Sequence, residues 1–361
     1  MGWPLMAAWA LGPVIKPPAP VALDRMEPYS ERIGGRLLDL DVAIDAFSRV
    51  LPVLLLVGLG ALFRRNGFLS PGAIDGLRKL VLNVTLPAAL FLAFLDTELE
   101  PQYAVIVISV FGACLVVLAV GPWLRRGAGV RSEAMPSLMA GFEAGMIGYA
   151  LYTAIFGAEN LYRFAVVDLG QVLFVFFVLA PVVMRWASGS APPLSETAAA
   201  FVKTPVIIAI VAGVAGSLAG LGEPIAANPI SNAGLETLAL LAGVTTPAIA
   251  IVIGYSTSFS AGSLGDPVRT VAVRYPIWIV AAVAFNILVI DRLLGLDRLF
   301  QAAVMTMAVL PPPFVVPLYM ARARGRDVSD DPDHDYLANT LSLATIVTLA
   351  AITVVGVVYA T

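Results

Sequence analysis

"NVTLPAAL" occupies Asn83–Leu90, and "GVTTPAIA" occupies Gly243–Ala250. Both contain Val-Thr-x-Pro-Ala, and both lie inside long apolar segments. Proline inside a helix removes a backbone hydrogen bond and clashes with the preceding turn, so a repeated intrahelical proline calls for a reason. A second pair supplies it. "LPVLLLVGLG" (Leu51–Gly60) and "TPVIIAIVAG" (Thr204–Gly213) each place Pro-Val near the start and a glycine eight residues after the proline. Pro52 pairs with Pro205 and Pro87 with Pro247, in the same order and at nearly the same offset. The chain therefore reads as two homologous halves.

Composition sets the solvent. The 361 residues are 59% hydrophobic and 13% charged, and the mean hydropathy is +0.88. Soluble domains are about 45–50% apolar and about 25% charged. Apolar runs long enough to cross a hydrocarbon core as helices recur along the chain, and alternating lumen-and-lipid strands of a membrane barrel are absent. The expected spans cover residues 48–64, 76–95, 103–124, 134–156, 161–184, 205–221, 234–257, 270–290, 300–320 and 337–360. That is about ten transmembrane helices, an all-α integral membrane protein of two five-helix repeats. An odd-numbered unit enters the membrane from opposite sides in its two copies, so the repeats are inverted, a plan of secondary transporters. The first repeat covers 48–184, a linker covers 185–204, and the second repeat covers 205–361.

Charge sets the orientation. Loops after odd-numbered spans carry Arg64, Arg65, Arg78, Lys79, Arg125, Arg126, Arg131, Arg185, Lys203, Arg269, Arg274, Arg322, Arg324 and Arg326. Loops after even-numbered spans carry Arg163, Arg292 and Arg298. Basic short loops stay cytoplasmic, which places both termini outside and the odd loops in the cytoplasm. On this assignment no Lys or Arg lies at mid-membrane. Residues 1–47 form a tail. Ile33, Leu37, Leu40, Ile44 and Phe47 recur at helical spacing and suggest a surface helix. The other reading is a tail outside the mature protein, with Met26 as an alternative start.

The net charge of −3 leaves no basic face for nucleic acid. Cys114 is the single cysteine and His334 the single histidine; the first cannot close an internal disulfide, and the second has no partners at metal-ligand spacing. No phosphate-binding loop and no nucleophile–base pair is present, so neither an ATP-driven transporter within this chain nor an enzyme is expected.

Interrupted spans point to the binding site. Span 4, "AGFEAGMIGYALYTAIFG", holds Gly141, Gly145 and Gly148 around Glu143. Span 9, "MTMAVLPPPFVVPLYMARARG", holds Pro311, Pro312 and Pro313 in its middle. Backbone interrupted at that depth must be buried in protein or line a cavity. Gly141 and Gly145 at GxxxG spacing also suit close helix packing. Within the spans, Glu143, Asp168 and Gln171 are the costly polar groups, since an acid at the bilayer centre costs about 2.5–3.5 kcal/mol even on insertion scales. Asp168 and Gln171, in "FAVVDLGQVLF", share a helix face. Asn83, Asn286, Asn339, Ser342 and Thr345 suit interhelical hydrogen bonding, with Asn339 and Ser342 weighted because span 10 corresponds to span 5. Tyr149 and Met307 flank the interruptions.

The motifs "LPVLLLVGLGALFRRNGFLS", "LVLNVTLPAALF", "MIGYALYTAIFGAENL", "KTPVIIAIVAG", "GVTTPAIAIVIG" and the proline-rich span 9 stand in an order that resembles the auxin efflux carrier family, which includes plant PIN-type carriers and bacterial malate and malonate permeases. The resemblance covers roughly residues 48–360. It implies that helices 4 and 9 are broken and cross at the substrate site. It further implies that helices 1, 2, 6 and 7 form a scaffold and a homodimer face, and that helices 3–5 and 8–10 form a moving transport domain. Export or uptake of a small organic anion by an elevator motion follows from the same resemblance. Such carriers carry an asparagine where this chain has Glu143. A protonated Glu143 would donate a hydrogen bond much as asparagine does and would couple transport to protons.

The candidate substrate-binding residues are Asn83, Glu143, Gly145, Gly148, Tyr149, Asp168, Gln171, Met307, Pro311, Pro312, Asn339 and Ser342. The expected partners are the anion and the lipid bilayer of a bacterial inner membrane. No cofactor is expected beyond a coupling proton or sodium ion. The second functional reading is a cation/proton antiporter that uses Glu143 and Asp168.

Overall fold

Helices account for the regular structure throughout residues 40–95, 97 and 100–359, the residues that the structure, a computed structural model, describes. Within this range the side chains of residues 40–43, 45 and 46 are outside the described set. Ile33 and Leu37 of the expected surface helix also lie outside it. From Leu40 the chain is one continuous helix into the first span, with Ile44 and Phe47 exposed.

The helices are α1 (Leu40–Asn66), α2 (Pro71–Leu95), α3 (Tyr103–Ala128), α4 (Met135–Phe156), α5 (Ala158–Ser188), α6 (Leu194–Val202), α7 (Pro205–Leu218), α8 (Gly222–Ala227), α9 (Pro229–Ser256), α10 (Gly265–Leu293), α11 (Arg298–Ala308), α12 (Val315–Ala323) and α13 (His334–Tyr359). Among the described residues, eight helices are long and apolar enough to cross a membrane. A ninth is obtained if α6 and α7, bent 61° against each other, count as one span. The remaining expected span, residues 300–320, is interrupted into α11 and α12. Residues 185–204, expected as a plain linker, contain α6.

Local chemistry sets the ends. Ser70 caps α2 by accepting from the Ala73 amide, with Pro71 at the first helical position. Asn228 and Pro229 do the same for α9, where the Asn228 side chain accepts from Ile230 and Ser231. Asp297 caps α11 through the Phe300 amide. Gly129 ends α3 in the left-handed conformation, φ 65°.

The four helices that carry the paired prolines pack as two similar pairs. α1 lies on α9, and α7 lies on α2. A Cβ at Gly60 of α1 would sit 2.1 Å from the Ile251 carbonyl oxygen. One at Gly213 of α7 would sit 2.7 Å from the Phe91 carbonyl oxygen. Ile251 follows Pro247 by four residues, and Phe91 follows Pro87 by four. Only glycine allows backbones this close. The helix ladder opens into a π turn at Val81–Thr85, just before Pro87; such turns accommodate a missing amide donor. Around Pro247 the helix stays α-helical.

Candidate functional site

α4 is interrupted at residues 140–143, and the chain is interrupted again at 309–314 between α11 and α12. The two interruptions touch. The Glu143 amide donates to the Pro311 carbonyl at 2.9 Å. Gly141 takes φ +78°, and a Cβ there would meet the Pro313 ring at 3.0 Å. Its place at the break, rather than in a helix–helix seam, accounts for the glycine. Gly148 answers to packing: its Cβ would fall 2.5 Å from Phe164 and 2.7 Å from Leu310.

Interrupted helices leave carbonyls and amides without intrahelical partners, and when buried each must be satisfied. The carbonyl ends are satisfied from α10 and α13. Arg274, 0% exposed, donates through one terminal nitrogen to Leu138 (2.8 Å) and Met139 (2.7 Å). Its other terminal nitrogen reaches Gly141 (2.7 Å) and Leu310 (3.3 Å). Trp278 adds a 2.8 Å bond to Met139, and the Thr348 hydroxyl donates to Val309 at 2.6 Å. The guanidinium also lies 5.0 Å from the Phe142 ring centroid, a cation–π distance. The charge pattern assigns Arg274 to a cytoplasmic loop and leaves no basic residue inside the bundle. The structure corrects this: Arg274 lies within α10, at the crossing. The signal was present in the sequence, since residue 274 falls inside the apolar run 270–290.

The amide ends are satisfied by Glu143, which is 8% exposed. Its Oε1 accepts from the Met146 amide at 3.3 Å, and its Oε2 accepts from the Phe314 amide at 2.6 Å. One carboxylate thus bridges the N-terminal ends of the second half of α4 and of α12. Negative charge is favoured at such ends by the exposed N–H groups and the helix dipole.

Behind it lies a second acid. Asp168, 2% exposed, accepts from the Tyr149 hydroxyl at 2.8 Å and from the Gln171 amide at 3.0 Å. The Gln171 oxygen in turn accepts from the Phe142 amide at 3.3 Å, which joins this chain to the break. Neither acid forms an ion pair among the described residues. Each of the four carboxylate oxygens receives a donated hydrogen.

Of the sequence candidates, Glu143, Tyr149, Asp168, Gln171 and Pro311 therefore form one connected network. Gly145 and Gly148 lie in the turn after Glu143, Pro312 lies between the two touching residues, and Met307 lies in the last turn of α11. Three candidates lie elsewhere. Asn83 is exposed in the π turn of α2 and donates to Lys79. Asn339 and Ser342 of α13 hold the loop after α9: Asn339 accepts from the Ser260 amide, and Ser342 donates to the Ser258 carbonyl. Of the remaining polar span residues, Asn286 donates to Gln301 and Thr345 to Leu341.

No protein-family model matches the chain. Over 217 residues it is 27% identical to an uncharacterized transporter of Methanothermobacter thermautotrophicus, covering 58% of this chain and 67% of that protein. The chain is similar to a transporter. Together with the apolar helices, this likeness supports a transporter-like integral membrane protein.

Proposed function

We propose that the protein is a secondary transporter of a small organic anion, built on the ten-helix inverted repeat and resembling the auxin efflux carriers. The observation that carries the reading is the Glu143 carboxylate seated on two half-helix N-terminal ends at once. A seat that holds one carboxylate is dimensioned and polarised for another.

The repeat is supported by symmetry-matched details. Gly60 approaches the residue four after Pro247, and Gly213 approaches the residue four after Pro87. Thr85 and Thr245, which correspond in the two Val-Thr-x-Pro-Ala peptides, both bury a hydroxyl with no hydrogen-bond partner among the described residues. On this reading α1, α2, α7 and α9 are the scaffold. The remaining spans, with the crossing, move as the elevator, and the scaffold helices are the homodimer face. The odd loops lie in the cytoplasm of a bacterial inner membrane, and no enzyme activity is involved.

The antiporter reading draws on two buried acids without a basic partner. The hydrogen bonding argues against it. Each of the four carboxylate oxygens already accepts a hydrogen bond, and these donors would have to turn away before the oxygens could close around a cation. The test is uptake into liposomes of purified protein, with labelled acetate, lactate, malonate and succinate set against sodium and potassium ions. Uptake of a carboxylate supports the carrier. Cation-driven proton flux without carboxylate uptake removes it and leaves the antiporter.

A further inference from the structure

The seat just described is already occupied by a part of the protein. Glu143 Oε1 takes the Met146 amide and Oε2 takes the Phe314 amide, so both amides that an incoming carboxylate would use are engaged. Two ionised carboxylates cannot share them. An anion that displaced an ionised Glu143 would leave a buried charge stripped of its hydrogen bonds, which is strongly unfavourable. A protonated Glu143 loses far less on release, because a neutral acid neither needs both donors nor carries charge into the bundle.

We infer that Glu143 is a tethered competitor for the substrate seat, and that it yields the seat by taking one proton, so that each transported anion crosses with one proton. The inference rests on the proposed anion transport. The step is balanced: one proton from the aqueous phase adds to the Glu143 carboxylate, the Met146 and Phe314 amides transfer their hydrogen bonds to the substrate carboxylate, and the proton leaves when Glu143 reclaims them on the far side.

The surroundings suit this exchange. The charged groups facing Glu143 are Asp168 from α5 and Arg78 from α2. Arg78 is shared with Asp75 and Ser256, and Asp168 is held by Tyr149 and Gln171. Arg274 of α10 spends its terminal nitrogens on four main-chain carbonyls. On α9, Glu236 is bonded to Asn232 and Tyr255 to the Leu69 carbonyl. The segment 309–314 contains no titratable residue. Glu143 is thus the group at the seat whose bonds and the substrate's are the same bonds.

The experiment is uptake of the labelled carboxylates into liposomes that enclose a pH-reporting dye, for wild type and Glu143→Gln. For the wild type, the expected result is one proton entering per carboxylate and uptake that falls about tenfold per pH unit on the alkaline side. For Glu143→Gln, whose side chain cannot ionise, the expected result is faster uptake than wild type at alkaline pH, no dependence on pH and no proton entry. Wild-type carboxylate uptake without proton entry overturns the inference and leaves the anion carrier standing. This arm needs no variant, so it decides even if Glu143→Gln fails to fold. Proton entry that persists in a folded Glu143→Gln also overturns it. Absence of uptake for every carboxylate removes the anion carrier and the inference together.

Discussion

Arg274 and Glu143 divide the crossing between them. The cation covers four carbonyls where the preceding half-helices end, and the anion covers two amides where the following half-helices begin. Each charge stands where the helix dipole favours it, and each spans both interruptions. Replacing Arg274 with Met would leave buried carbonyls unsatisfied. The expected loss is on the order of 3 kcal/mol, read as a lowered thermal midpoint in detergent. Arg274→Lys keeps the charge but offers a point donor in place of a planar fork, so its midpoint should fall between the two. Trp278→Phe removes a single bond to Met139 and should cost about 1 kcal/mol. The acids were conspicuous in the sequence because carboxylates are rare inside apolar spans. Arg274 was not, because its span begins only four residues earlier and the residue could be counted with the loop before it.

Helix pairing rests on close backbone approach. α1 and α9 meet through Gly60 and Gly254, where a Cβ would lie 2.1 Å and 1.8 Å from opposing carbonyl oxygens. Gly58, two residues from Gly60, has nothing within 4 Å of its Cβ position. Gly60→Val and Gly254→Val should therefore abolish folded, monodisperse protein in detergent, and Gly213→Val should act in the same direction. Gly58→Val should be tolerated within about 0.5 kcal/mol. Size-exclusion chromatography and thermal unfolding of the four variants check this. Gly148→Val should fail for another reason, collision with Phe164 and Leu310, and should perturb the crossing rather than the α1–α9 pair. The proline pairs and the glycines eight residues on could be seen in the sequence. Their partners four residues past the other proline could not, because contacts between distant segments leave no local pattern.

For the whole molecule, the distribution of arginine and lysine predicts orientation. α5 spans between Glu159 and Ser190, both exposed. In a Cys114→Ala background, Glu159→Cys should react with a membrane-impermeant maleimide in intact cells, and Ser190→Cys should react only after lysis. The reverse pattern would invert the topology and would count against the charge-bias argument.

Composition and periodicity alone were enough for the membrane class, most of the spans and the two interrupted segments, because apolar length and runs of glycine and proline are local properties. Glu143, Asp168 and Gln171 were legible as costly polar groups, since such residues persist in apolar helices only with a purpose, whereas Tyr149 was legible only as a residue flanking the interruption. Which groups satisfy which depended on the fold. Asn339 and Ser342 read as site candidates from sequence, yet their side chains hold the loop after α9. Glu143 read as a costly acid at a glycine-rich interruption, yet its two oxygens cap two helix ends from opposite halves of the chain. Arg274 read as a loop residue, yet it closes four carbonyls. All of these contacts except the local Glu143–Met146 cap join residues far apart along the chain. Hydrogen-bond satisfaction in a buried crossing is a three-dimensional constraint, and only the packed helices decide it.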